Sequence, residues 1–459
     1  MKKKSGLSCR LLAASTLLPL ASSVLAADAP AAALSSGWQK PAWLTDLSLG
    51  VKESYDDNVL LVADKNPGMS SQSSWITTVS PKVGFNFAPL LGTQKTLPTL
   101  SLVYAPDFAI YHDASSESYN AHKLANAIKG KTGDFSFALD NAFLFNDGDS
   151  AGPIYSGNDK NRSCYATAAA RERRTQIQDR TTIVLQYDVD NFFIRPTASL
   201  LYYDLMTDWH NGGSGTSAKK VLGYQNYVDR ADVNGGLDLG WKVTKGLTIT
   251  VGYRYGHQYQ QAYAPAVDNA RGPNGQLMQS SADYQRLLLG LEGKPVKWLT
   301  VKLVGGPEFR DYNSAAPVND DHPVDYYGEA SVSAAITSSQ TLSFTYKHWQ
   351  WVSSTGKLPY ADNTYALAYH LNATKQLGLD LGAKYLFSDY NCGNNAGSLR
   401  NDAEYVLLAG ASYAFTPHFS TSLGYTRNLG RNQQDNVGPL AGYREFDQNV
   451  VLLSAQYKF

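Results

Sequence analysis

Alternation with a period of two governs this chain from residue 45 to Phe459. Runs of about 10 to 15 residues alternate apolar and polar side chains, and each run ends in a break. In 376–387, Leu377, Leu379, Leu381, Ala383, Tyr385 and Phe387 share one face, and Gln376, Asp380, Gly382 and Lys384 the other. In 134–146, Phe135, Phe137, Leu139, Phe143 and Phe145 oppose Ser136, Asp140 and Asn146. In 246–258, Leu247, Ile249, Val251, Tyr253 and Tyr255 oppose Thr248, Thr250, Arg254 and Gln258. Successive side chains of a strand point to opposite faces, so such runs form amphipathic strands and not helices.

The breaks are of two kinds, and the kinds alternate. Short ones are turn-like, as at Gly130–Asp134, Asp188–Asn191, Val243–Gly246, Thr337–Gln340, Ala373–Gln376 and Phe415–His418. Long ones are polar and rich in Gly, Asn, Asp and Ser, as in 57–72, 148–167, 209–223, 261–280, 313–324 and 431–444. Strands are expected near 45–55, 73–87, 98–111, 119–130, 134–146, 172–188, 192–205, 224–243 and 246–259. They continue near 281–294, 298–312, 325–337, 340–352, 362–373, 376–389, 402–415, 418–429 and 445–459. The count is 18, with 16 as the alternative, and 119–130 and 172–188 are the least regular.

A soluble sandwich shows the same period with its apolar face turned inward. Here the number of strands in one domain favours the opposite arrangement. In hydrocarbon every backbone N–H and C=O must be paired internally, so a sheet can cross only if it closes. Tight turns on one side and long loops on the other are the mark of such a barrel. The expected fold is therefore all-β, a closed antiparallel transmembrane β-barrel. At about 18 strands its interior is too wide for side chains to fill, so it holds water or infolded loops.

The N-terminal segment reads as an export signal. Lys2, Lys3, Lys4 and Arg10 precede an apolar run, Leu11–Leu25, too short to span a membrane, and cleavage is expected after Ala26. Residues 1–26 are then a signal peptide, 27–44 a periplasmic leader and 45–459 the barrel. Removing four basic and no acidic residues from 40 of each leaves 36 against 40. Such a surface does not suit a nucleic-acid partner, whose phosphates need a basic one. Mean hydropathy is −0.31, and no later stretch reaches the roughly 18 apolar residues of a membrane helix. A barrel escapes both measures because only alternate residues face lipid. The 30 tyrosines suit two interfacial girdles.

The run Val450–Phe459 ends in aromatics at alternate positions and resembles the closing strand of bacterial outer-membrane barrels. The resemblance implies that Tyr457 and Phe459 act as an assembly signal read by the barrel assembly machinery. It also implies the outer membrane of a Gram-negative bacterium, with lipid and lipopolysaccharide as surroundings. Ser54-Tyr55-Asp56-Asp57-Asn58-Val59 resembles the start of the "beta-barrel porin 2" family, which implies a porin-like barrel without catalytic residues to carry over.

Several constellations invite a functional reading. Strands expected to run outward end in an aromatic followed by Asp or Asn: Tyr55-Asp56-Asp57-Asn58, Tyr111-His112-Asp113, Phe145-Asn146-Asp147, Tyr203-Asp204, Arg310-Asp311-Tyr312-Asn313 and Asp389-Tyr390-Asn391. An upper girdle capped by turn residues accounts for these. Clustered carboxylate and amide oxygens also suit a hard cation, and Asp56, Asp57 and Asn58 are the candidates for Ca²⁺ at the outer loops. No other cofactor or metal is expected. Arg171, Arg173, Arg174 and Arg180 are the densest basic cluster. If Ile183, Leu185 and Tyr187 face lipid, Arg174 and Arg180 line the lumen as an anion-attracting pair. Arg171 and Arg173 would then meet lipopolysaccharide phosphates. The bland alternative is four solvated arginines in a loop.

The same parity puts Lys52, Lys82, Arg254, Lys302, Lys347 and Lys384 inside, opposite Asp107, Asp140, Asp238, Glu292, Glu329 and Asp380. The signs nearly balance, which argues for cross-strand pairing rather than strong ion selectivity. Loop 148–167 is a candidate constriction. Cys164 and Cys392 fall in outer loops and are expected unbonded. The eight histidines are scattered and no hydrolase or nucleotide-binding motif occurs. No enzyme activity is expected, and no catalytic residues are assigned. The function expected is a channel for passive diffusion of small hydrophilic solutes. An exopolysaccharide export barrel is the alternative, an outer-membrane hydrolase a weaker one. A homo-oligomer is compatible with the sequence but not dictated by it.

Overall fold

The computed structural model describes residues 40–61, 71–149, 174–205, 229–261, 279–314, 316, 318, 320–352, 359–390, 400–432 and 445–459. The segments expected to be signal and leader, apart from 40–44, lie outside these, as do Cys164, Cys392, Arg171, Arg173 and the loop 150–167. Among the described residues, nineteen strands form a single sheet. They are β1 (Leu44–Asp56), β2 (Ser74–Asn86), β3 (Thr99–Tyr104), β4 (Asp107–Tyr111), β5 (Tyr119–Thr132), β6 (Phe135–Asp149) and β7 (Arg174–Val189). Then come β8 (Phe192–Asp204), β9 (Arg230–Thr244), β10 (Leu247–Gln260), β11 (Ala282–Val296), β12 (Leu299–Tyr312) and β13 (Val324–Ala335). The last are β14 (Gln340–Val352), β15 (Pro359–Asn372), β16 (Leu377–Tyr390), β17 (Arg400–Ala414), β18 (Phe419–Asn432) and β19 (Phe446–Lys458).

β3 and β4 are two halves of one stave, since both pair with β2 on one side and β5 on the other. Ala105-Pro106 divides them, and proline has no N–H to give the ladder. The barrel thus has 18 staves. It closes where β1 pairs antiparallel with β19, from Ser48↔Lys458 to Asp56↔Val450. Every other strand pairs with its sequence neighbours, so among the described residues no strand edge is left open to hydrocarbon.

Short turns join the strands at the periplasmic end. Between β5 and β6 the turn is Gly133-Asp134, with Gly133 at φ 57°, and between β7 and β8 it is Asp190-Asn191, with Asp190 at φ 51°. Both need the left-handed region that a two-residue hairpin imposes. Four other turns use a threonine in one way. The hydroxyls of Thr244, Thr337, Thr374 and Thr416 accept the N–H two residues on, from Gly246, Ser339, Gln376 and His418. The β2–β3 connection is longer and holds one helical turn, α1 (Ala88–Leu91). No helix of the described residues is long and apolar enough to cross a membrane; the strands do the crossing.

The apolar face is outside. Val51, Ile183, Leu185, Leu239, Val251, Leu289, Leu381 and Leu453 are exposed on the outer wall, while charged side chains such as Arg230, Asp232, Asp238, Arg286, Glu308 and Arg310 are buried on the inner side. Aromatics collect at the lower rim, where Phe192 stacks on Trp241 and Tyr413, Phe415 and Phe419 meet edge to face or tilted. Higher up, Tyr346, Tyr365, Tyr385 and Tyr405 are direct cross-strand partners around β14–β17. Their rings lie 4.9 to 6.0 Å apart.

This belt corrects one expectation. The aromatics at the outer strand tips are not a uniform girdle: Tyr55 and Phe145 share the lipid face, but Tyr111, Tyr203 and Tyr312 turn into the lumen. A tip extends beyond the hydrocarbon, so nothing there forces its aromatics outward.

Candidate functional site

Inward side chains of β8–β14 build two ionic networks, one above the other. In the upper one, Glu308 of β12 is wholly buried and receives Nε–H from Arg286 of β11 and from Arg310, each at 2.5 Å. Arg310 Nη1 donates to Gln258 Oε1 at 2.8 Å, and Gln258 Nε2 donates to Asp232 at 2.9 Å. Asp232 also accepts the Tyr284 hydroxyl at 2.9 Å. Gly256 makes room for that tyrosine, since a Cβ there would lie 2.3 Å from its ring. The Arg286 guanidinium is sandwiched between the rings of Tyr284 and Tyr327, 4.2 and 4.1 Å from their centroids. Tyr327 donates to Glu329, which also faces Lys347 Nζ at 3.7 Å.

This network is enclosed because a strand leaves the wall to cover it. β13 and β14 pair only as far as Gly328↔His348, whereas β14 and β15 stay paired to Val352↔Pro359. Beyond His348 the β14–β15 hairpin tips into the lumen. Its outer side then meets the inner side of β13, where His348 Nε2 lies 3.4 Å from Asp325 and Gln350 Nε2 donates to the same carboxylate. Its backbone reaches the opposite inner wall. The Gln350 carbonyl accepts from Gln258 Nε2 at 2.8 Å and Arg310 Nη2 at 3.2 Å, and the Val352 carbonyl accepts from Arg230 Nη1 at 2.9 Å. Trp351 and Tyr360 are buried against Leu201 and Tyr203 of β8, with Trp349 stacked on Trp351 at 4.7 Å. Arg230 lies over both Tyr203 and Trp351. Charge-assisted bonds to main-chain carbonyls and two tryptophans therefore hold the hairpin across the bore.

Below it, Arg195 Nη1 and Nη2 grip Glu292 at 2.7 and 3.2 Å while Nε donates to Asp238 at 3.1 Å. Arg254 Nη1 reaches the other Asp238 oxygen at 2.7 Å. On the far wall, Asp107 accepts from Lys123 at 2.5 Å and from Ser80, with Lys52 close by. Lys82 pairs with Asp46, Lys129 with Asp140, and Asp188 with Lys242. His370 meets Asp380 at 2.7 Å. Outside the spanning segments, Asp229 precedes β9; burial pushes its carboxyl above the usual range, against an N–H bond from Leu205.

The residues singled out by parity fall as follows. Arg254, Glu292, Glu329, Lys347, Asp107, Asp140, Asp238, Lys52 and Lys82 all lie on the inner wall within these networks. Lys302 is within electrostatic reach of Glu329, and Arg180 within reach of Lys347. Lys384 shares the inner face of β16 with Asp380. Arg174 opposes Asp149 at the top of β7. Arg195, Arg230, Asp232, Arg286, Glu308 and the inward turn of Arg310 were missed, although the same parity carries their signal. Asp56 and Asp57 do not converge. Asp56 accepts from the Asn58 N–H and Gln448, and Asp57 takes the N–H and side-chain amide of Asn449 at 2.6 and 2.7 Å. No group of three metal-ligating side chains is gathered among the described residues. Tyr457 packs edge-on against Phe459, whose N–H donates to the Leu47 carbonyl across the closing seam.

No protein-family model matches the sequence, and no curated protein sequence does. Among solved structures, the fold is similar to OccK3 (OpdO) of Pseudomonas aeruginosa, at 11% identity and a TM-score of 0.43, covering 90% of this chain and 96% of that one. It is similar to the outer membrane protein opdK of the same organism, at 12% identity and 0.42, covering 90% and 99%. The siderophore receptor PirA of Acinetobacter baumannii gives 10% identity and 0.39, covering 91% and 81%. The closed barrel with its apolar exterior is an outer-membrane architecture of Gram-negative bacteria.

Proposed function

We propose that this protein is a porin-like outer-membrane channel through which small hydrophilic solutes diffuse passively, of the kind that the Ser54–Val59 motif resembles. The observation that carries the reading is the inversion of polarity together with one infolded hairpin. Hydrocarbon-facing positions are mostly apolar, the bore is walled by paired charges, and β14–β15 narrows it from one side. An 18-stave barrel of this kind leaves an aqueous path. The wall supplies hydrogen-bonding groups along it, so a polar solute exchanges water for protein contacts as it passes. Size is selected at the hairpin and charge only weakly, because cations and anions alternate on the wall. The channel works without chemistry on its solute.

Conductance of the purified protein in a planar bilayer tests this. A steady ohmic current of pore size is the expected result. A closed barrel that conducts only after residues 349–361 are trimmed would point to gated export of a polymer instead. A barrel that never conducts would end the channel reading.

A further inference from the structure

The outer wall carries one feature that a channel does not need. Asn126 of β5, Asn141 of β6 and Thr181 of β7 are direct cross-strand neighbours, and all three face outward. Asn126 Nδ2 donates to Asn141 Oδ1 at 3.1 Å, and Asn141 Nδ2 donates to both Asp179 oxygens at 3.1 Å and to Thr181 Oγ1 at 2.8 Å. The Thr181 hydroxyl donates to Asp179 at 2.7 Å. The cluster shares its face with Phe143 and Ile177 above and with Leu139 and Ile183 below, so it sits at mid-depth, away from both headgroup layers. Elsewhere on the described wall, middle positions of the strands present Val51, Leu237, Val251, Leu289, Leu381 and Leu453.

A carboxylate and two amides facing lipid tails are costly, and such groups in membranes mark places where another polar surface covers them. A second observation points the same way. Among the described residues Asn126 Oδ1 accepts no hydrogen bond, and one N–H of its Nδ2 is likewise unused. A lipid tail can fill neither valence. An amide is its own complement, one N–H and one C=O facing the same pair turned by a two-fold axis, and closed symmetric pairing uses one patch twice. The patch carries no basic side chain and lies too deep for a headgroup phosphate.

We propose that the β5–β7 wall is the surface on which a second copy of this chain docks side by side in the membrane, with Asn126 hydrogen-bonded across the interface and Asn141, Asp179 and Thr181 shielded behind it. The test is the mass of the full-length protein in lipid nanodiscs, compared with a variant carrying Asn126→Leu, Asn141→Leu, Asp179→Leu and Thr181→Val. The wild type is expected to appear as an oligomer and the variant as a monomer with unaltered heat-modifiable migration. A monomeric wild type, or an oligomer that survives the four changes, overturns the proposal. Should the fourfold variant not fold, Phe143→Cys in a chain with Cys164 and Cys392 changed to Ser decides the matter. Oxidation in the native membrane is expected to join two copies of this chain. A cross-link to a different protein, or none, overturns it. Conductance is read separately, so the channel reading stands or falls on its own.

Discussion

Glu308 is the residue on which the upper network turns. Its carboxylate is excluded from solvent and is bonded to both Arg286 and Arg310. Removing one partner of a buried ion pair leaves the others charged and unsolvated, which costs far more than the pair contributes when intact. Glu308→Ala is therefore expected to destabilise the barrel by about 3–5 kcal/mol, seen as a lower midpoint of urea unfolding in detergent. Lys129→Ala, which breaks a half-exposed pair with Asp140, is expected to cost about 0–1 kcal/mol. Equal midpoints for the two variants would show that the triad is not a structural unit. Facing was legible at this scale, because period two assigns Arg254, Glu292 and Glu329 to the lumen without any structure. Partnership was not. Asp232, Gln258 and Arg310 belong to three different strands, and only the register fixed by the intervening turns brings them level. Arg310 also sits among tip residues, and the Tyr312 beside it invited a girdle where the chain in fact turns both inward.

The β14–β15 hairpin shows what alternation can and cannot say about an element. The run 340–352 was legible to the residue, as was most of the strand order, since tight turns and long loops alternate so regularly. The irregular 119–130 and 172–188 also proved to be strands, β5 and β7. Two departures were hidden. Pro106 splits one stave into β3 and β4, and β14 quits β13 after His348 while its apolar and polar residues keep alternating. Period two reports which way side chains point relative to their own strand, and is blind to the strand leaving the wall. Docking depends on Trp351, which is 2% exposed beneath Arg230 and beside Tyr203. Truncating a buried tryptophan to alanine costs about 3–5 kcal/mol, here charged to the docked hairpin because the barrel ladder is unaffected. Trp351→Ala is expected to raise single-channel conductance and to make the current noisier, with normal heat-modifiable migration. Wild-type conductance in that variant would mean that the narrowest point lies elsewhere.

At the scale of the whole barrel the question is what field a permeating ion meets. Most wall charges are neutralised within a few ångströms, as in Arg195–Glu292, Arg254–Asp238 and Lys123–Asp107. Such pairs act as dipoles whose fields fade within a Debye length of about 8–10 Å. The selectivity that survives is set by the charges nearest the place where the bore is narrow. Near the hairpin two basic groups, Arg180 and Lys347, lie within reach of one another, and Glu329 is paired with Lys347. The intact channel is accordingly expected to prefer anions slightly. Arg174→Glu with Arg180→Glu reverses two charges on β7 without touching the Glu308 triad, so the fold should persist while the field at the constriction changes sign. Under a salt gradient the zero-current potential is expected to move toward cation preference. An unmoved potential would place β7 outside the conduction path, and the ions would then have to pass on the β1–β5 side, where Lys52, Asp107 and Lys123 already balance.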